Sequence, residues 1–230
     1  MKERKTVGVL GGMGPDATVD FMAKVIGLTD AARDQDHIHM IVDHDPTVPN
    51  RQNAILDKGK DPGPALARMA KRLEDAGADF LVIPCNTAHV FEQSILDAVG
   101  IPLVSIVEET VDALPEECNR VGLLATDGCM KAGIYQRALE SRDIEAIEPG
   151  DNELQDLMSL VYSIKAGDTS KAIARAMQAL ANELVLRGAE AIIAGCTEIP
   201  LVLDESMLDV PLISSTDVLA ARTVQLAKPE

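Results

Sequence analysis

Short apolar runs alternate along this chain with longer amphipathic stretches. The runs predict strands over residues 6–10, 38–42, 79–83, 103–106, 120–125, 144–147, 191–194 and 212–214. Between most of them lie helical patterns such as PALARMAKRLEDAG and AIARAMQALANELVLRG, the second ending at Gly188 after Arg187, a good C-terminal stop. Alternating strands and helices with β-branched buried runs predict an α/β fold built on parallel sheets.

The pattern repeats. RLEDAGADFLVIPCNTA and LVLRGAEAIIAGCTEI each end a helix at Gly-Ala-acid, continue into a strand, and carry a cysteine eight residues after the glycine. VGVLGGMG matches VGLLATDG upstream, and IPLVSI matches VPLISS downstream. Pairing Val7 with Val121, Cys85 with Cys196 and Ile101 with Val210 gives offsets of 114, 111 and 109 residues. Any two α/β units share one such match; three in the same order point to two similar halves. Each half ends a central strand in a cysteine.

Ligands of open α/β sheets bind beyond the carboxyl ends of the strands. Facing halves would set Cys85 and Cys196 on opposite walls of one cleft. Each thiol would stand just ahead of a helix start, with Asn86 or Thr87 capping one helix and Thr197 the other. That setting lowers a thiol's pKa and favours an anion. Two thiols across one carbon suit removal of a proton from one face and delivery to the other, which inverts the centre. A disulfide oxidoreductase would instead keep its sulfurs close together in one short segment.

Composition narrows the field. With 47% apolar residues, no Trp, three Phe and two Tyr in 230 residues, the core must be aliphatic. No apolar run is long enough to span a bilayer, and the start MKERKTVGVLGG does not read as a signal peptide, so a soluble cytoplasmic protein is expected. The formal charge of −16 argues against nucleic acid and anionic membranes as partners, and requires local cations around any anionic ligand.

The other chemistry-bearing residues divide. No two of the four cysteines form C-x-x-C, which weakens zinc and thioredoxin-like readings. Cys118 reads as a small buried hydrophobe; Cys129, after ATDG, is open between that and the cleft. His37 and His39 lie two apart on a predicted strand near His44, yet no distant ligand pair completes a metal site. His89 reads as a helix-face residue. Met13 in GGMGP belongs to a tight glycine loop or aims backbone groups at a ligand, and the loop is not GxGxxG.

GGMGP, PCNTAH and GCTEIP together resemble the signatures of the cofactor-independent aspartate/glutamate racemase family, closest to its aspartate branch, over essentially the whole chain. The resemblance implies two Rossmann-like domains related by a pseudo-twofold axis with the active site between them, residues 1–106 with 215–230 forming one and 107–214 the other. It implies that the C-terminal helix returns to the first domain, that no pyridoxal phosphate is used, and that the chain forms a homodimer. Cys85 and Cys196 resemble the catalytic thiols; Met13, Asn86, Thr87, Thr126 and Thr197 resemble residues that bind the amino-acid substrate. Arg51 and Lys165 resemble a cation pair suited to a dicarboxylate. The absence of D-S-G at the first loop, and Cys196-Thr197-Glu198 where a glutamate racemase has C-T-H, argue against the glutamate racemase branch and leave Glu198 as the nearest assistant to Cys196. The alternatives are a racemase for glutamate or a hydantoin, a maleate isomerase, a non-catalytic amino-acid-binding protein and a thiol-redox protein.

Overall fold

The computed structural model describes residues 4–228. The elements run β1 (Val7–Gly11), α1 (Pro15–Leu28), β2 (Met40–His44), α2 (Arg51–Ile55), α3 (Gly63–Asp75), β3 (Phe80–Val82), α4 (Glu92–Leu96), β4 (Leu103–Val104) and α5 (Ile106–Asp112). They continue with β5 (Arg120–Ala125), α6 (Asp127–Ala132), α7 (Ile134–Glu140), β6 (Glu145–Ile147), α8 (Asp151–Lys165), α9 (Lys171–Leu186), β7 (Ala191–Gly195), β8 (Leu212–Ser214) and α10 (Ser215–Ala227). Two four-stranded parallel sheets result, ordered β2-β1-β3-β4 and β6-β5-β7-β8. The second order is the first with every strand advanced by four, so the sequence repeat is a repeat of topology.

All eight predicted strands form, with their ends shifted by one or two residues where they shift at all. The largest change is in β2. Its ladder with β1 begins at Val7 opposite Met40, so His37 and His39 precede the strand instead of sharing its face. His37 ends a short 3-10 turn and His39 Nδ1 lies 3.2 Å from Thr6 Oγ1. Among the described residues, no three His, Cys, Asp or Glu side chains gather in a way that could hold a metal.

Successive side chains of a strand face opposite ways, and this sorts the core into three layers. Val7 and Val9 of β1 point inward with Phe80, Val82, Val121, Leu123 and Ile193. Phe21, Val107, Leu139 and Leu219 from α1, α5, α7 and α10 fill that shared centre. Leu10, Leu81 and Ile83 face outward onto α3, and Leu124, Ile192 and Ala194 onto α8 and α9. The helix α10 lies against α1 and α5. Gly77 and Gly188, the matched helix stops, both take φ +95°, a left-handed conformation that ends a helix and that glycine alone adopts freely. Among the described residues no helix is long and apolar enough to cross a membrane.

Candidate active site

Four strand ends of the two sheets meet in pairs. The loop after β1 faces the loop after β7: a methyl group placed on Gly14 would stand 2.8 Å from Glu198 Oε1. The loop after β3 faces the loop after β5: Thr87 Oγ1 lies 3.0 Å from Thr126 Oγ1. The first loop is shaped by Gly12, whose φ of +92° and close approach to the Asp45 backbone leave no room for a side chain. Between the halves opens a cavity of about 250 Å³, lined among others by Gly12, Gly14, Arg51, Tyr162, Lys165 and Glu198. That volume suits a small polar ligand better than a drug-sized one.

On the second-half side three groups form a chain. Lys165 Nζ pairs with Glu198 Oε1, and Glu198 Oε2 accepts a hydrogen bond from Cys196 Sγ at 3.0 Å. Thr197 Oγ1 approaches the same oxygen at 3.5 Å. Burial pushes the Cys196 thiol well up and the neighbouring Glu198 carboxylate pushes it further, with Lys165 opposing. This reverses the expectation of a thiol made acidic by a helix N-terminus. The helix is not there: a single 3-10 turn, Ile199–Leu201, follows, and no side chain caps it. For Lys165, burial pulls the amine down, but Glu198, Cys196 and, more weakly, Cys85 carry it above its ordinary value.

Asn86 and Thr87, the residues that follow Cys85, carry no charge. Asn86–Phe91 is again a 3-10 helix without a side-chain cap, so neither Asn86 nor Thr87 plays the capping role. The side chain of Thr87 reaches Thr126 and, at 3.3 Å, Cys129 Sγ. Thr126 does cap a helix, accepting from the Cys129 N–H at the start of α6. Asn86 Nδ2 donates to Ser215 Oγ at 3.0 Å, and Asn86 Oδ1 accepts from the Tyr135 hydroxyl at 2.6 Å. His89 lies on a face of that 3-10 helix, and the face is buried: the residue is 4% exposed. Its Nε2 accepts from the Ile106 N–H, which puts the proton on Nδ1 for donation to the Cys85 carbonyl at 3.1 Å. Burial depresses its pKa, so the ring is neutral.

The remaining residues fall as follows. Cys85 and Cys196 are 6% and 5% exposed and do not themselves line the cavity; Glu198, which accepts from Cys196, and Lys165, which pairs with Glu198, do. Cys129 is buried, and burial raises its thiol to about 11. It is thus a neutral neighbour of Thr87. Cys118 is buried, its sulfur 3.7 Å from the Arg120 carbonyl. The Met13 side chain joins the apolar core, while its carbonyl accepts from Arg51 Nη2 at 3.1 Å. Arg51 also donates to the Val48 and Pro49 carbonyls, and its Nε–H is buried without a partner. A buried orphan donor on a cavity wall is costly unless a ligand supplies the acceptor. Sequence reasoning missed Tyr135 and Ser215, which lie in ordinary helical patterns with no motif to mark them.

The family described as Asp/Glu/Hydantoin racemase matches residues 10–223. The broad specificity amino-acid racemase RacX of Bacillus subtilis (strain 168) is 34% identical over 95% of this chain and 96% of its own length. Among solved structures, the aspartate racemase of Picrophilus torridus superposes with a TM-score of 0.89 at 29% identity, covering 98% of this chain and 95% of the other. The glutamate racemase of Francisella tularensis subsp. tularensis SCHU S4, determined with D-glutamate, shares the fold, with a TM-score of 0.69 at 19% identity, covering 97% and 81%. A match across nearly the whole chain, on a fold of two parallel four-stranded sheets, places the chain in the Asp/Glu/hydantoin racemase family.

Proposed function

We propose that this protein interconverts the L and D forms of aspartate by a two-base reaction that needs no pyridoxal phosphate. One thiolate, Cys85 or Cys196 according to the enantiomer bound, removes the α-proton. The pair of electrons left on the α-carbon delocalises into the substrate carboxylate, and the opposite thiol delivers its proton to the other face. The reverse reaction exchanges the two roles. Lys165 and Arg51 are proposed to hold the substrate carboxylates, in a chain whose net charge otherwise repels them. Thr87, Thr126, Thr197 and the Met13 loop complete the walls; Asn86 keeps one amide N–H for the substrate.

The observation that carries the reading is Lys165. It lines the cavity and pairs with the carboxylate that accepts from Cys196. Residues 1–106 with 215–230 and residues 107–214 are proposed as the two domains. The composition of the sheets and the packing of α10 on α1 support this; residues 1–3 and 229–230 lie outside the described part.

L-Aspartate incubated in deuterated water without cofactor is expected to yield D-aspartate carrying α-deuterium. Cys85→Ala and Cys196→Ala are each expected to lower that rate by about a thousandfold or more with the fold intact by circular dichroism. Either variant turning over at the parental rate overturns the two-thiol assignment. A second reading, broad acceptance of amino acids, is favoured by the likeness to the Bacillus subtilis enzyme over 95% of the chain. A chiral assay across acidic, neutral and basic amino acids separates the two.

A further inference from the structure

Tyr135 is the largest fully buried side chain of the protein and one of its two tyrosines. An aliphatic core has no need of a phenol, and a buried hydroxyl is costly without a partner. Its partner here is Asn86, the residue that follows Cys85. Its ring lies against the other thiol's strand: a methyl placed on Gly195, the residue before Cys196, would come within 3.0 Å of Tyr135 Cε2. A second arm closes the circuit. Asn86 Nδ2 donates to Ser215 Oγ, and Ser215 Oγ donates to the Ala194 carbonyl at 2.8 Å. Asn86 is thus tied to the last two residues of β7 by two independent routes, one through a ring and one through a hydroxyl.

We infer that Tyr135, with Ser215, is a positioning residue that sets the distance between the two thiol-bearing loops across the sheets. The inference rests on the two-thiol reading above. A one-carbon inversion requires both sulfurs within reach of one atom at the same moment, and misplacement of about 1 Å costs on the order of a hundredfold in rate. The two loops belong to different sheets, so no backbone ladder fixes their separation. Tyr135, Asn86 and Ser215 are at most 2% exposed, so solvent does not replace a lost bond easily. Burial also holds the phenol far above its ordinary pKa, which keeps it a donor to Asn86 Oδ1.

Tyr135→Phe keeps the ring against Gly195 and removes only the hydroxyl. We expect kcat for aspartate to fall by about tenfold, a few tenths of an ångström on the scale just given, with KM within about twofold. The primary isotope effect with α-deuterated aspartate should rise, because proton transfer becomes more rate-limiting. Ser215→Ala cuts the other arm and should move kcat and the isotope effect the same way. Both are measured at a temperature where thermal melting shows the variant fully folded. A Tyr135→Phe protein, or a Ser215→Ala protein, that melts lower yet keeps parental kcat and isotope effect shows a packing role only and overturns the inference. The two-thiol reading falls on a different result, parental turnover by Cys85→Ala or Cys196→Ala.

Discussion

Gly14→Ala probes the charged side of the site without touching a charged residue. Gly14 has φ −95° and ψ 165°, a conformation that alanine adopts freely, so the perturbation is steric. The new methyl would lie 2.8 Å from Glu198 Oε1 and 3.4 Å from Lys165 Nζ. Ordinary contact begins at 3.4 Å, so the carboxylate must retreat by about 0.6 Å. Glu198 has little freedom to do so, because its other oxygen holds Cys196 Sγ at 3.0 Å and the residue is 3% exposed. Scaled from about a hundredfold per ångström, the shift costs roughly 10- to 20-fold in kcat. Stability should change little, since Gly→Ala at a compatible backbone gains about 0.4–1 kcal/mol against the overlap. The repeat supplies the comparison: at Gly128, the position matched to Gly14, the nearest atoms would be 3.2–3.3 Å away, and Gly128→Ala should cost less than Gly14→Ala. Chiral chromatography of aspartate reads the rates, and thermal melting reads the fold. A folded Gly14→Ala protein with parental kcat would show that the Lys165–Glu198 pair has no part in the reacting geometry.

Three further outcomes are expected. Glu198→Gln removes the carboxylate that adds to burial in raising the Cys196 thiol; alkylation of Cys196 by iodoacetamide, followed by peptide mass spectrometry, should then proceed at lower pH than in the parent, and racemisation should fall by about a hundredfold. An unmoved alkylation profile refutes this. Lys165→Met should weaken calorimetric binding of succinate by about 10- to 100-fold, the worth of one charged hydrogen bond of about 1.5–3 kcal/mol; unchanged binding would remove Lys165 from the ligand site. His89 has a depressed pKa through burial, so the unfolded chain binds the proton more readily, and stability is lost as pH falls below the unfolded value of 6.5. Denaturant unfolding of His89→Gln between pH 7 and 5.5 should lose less than the parent over the same interval, the parental slope from this group being at most about 1.4 kcal/mol per pH unit; equal slopes would refute it.

The strands were legible because each is a short apolar run closed by turn residues, and the repeat was legible because it preserves spacing as well as type. Cys85 and Cys196 stood out for the same reason. What the sequence could not show is where a side chain goes once both halves close. The polar followers of Cys85 looked like helix caps, since Asn and Thr commonly are. The 3-10 turn after β3 instead points Asn86 at Ser215, 129 residues away, and Thr87 at Thr126. His89 read only as a helix-face residue because nothing local reveals that α5 begins against its ring. The Tyr135 bridge depends on three segments far apart in sequence, and no periodicity marks such a meeting. The strand edge at β2 failed for a smaller reason: β-propensity runs past the point where the partner strand starts.

The two halves repeat in topology but differ in charge, and this bears on mechanism. The repeat offset of 111 residues pairs Thr87 with Glu198: the carboxylate accepts from Cys196, whereas the matched hydroxyl turns to Thr126 and Cys129. A racemase works between mirror-image states of equal energy in solution, so kcat/KM must be the same for both enantiomers whatever the protein does. Unequal thiols cannot bias the equilibrium. They can only bias the bound states. A carboxylate beside Cys196 that raises its pKa favours the protonated form of that thiol. On the proposed two-thiol reading, any difference this makes between the enantiomers falls on kcat and KM together, where their ratio hides it.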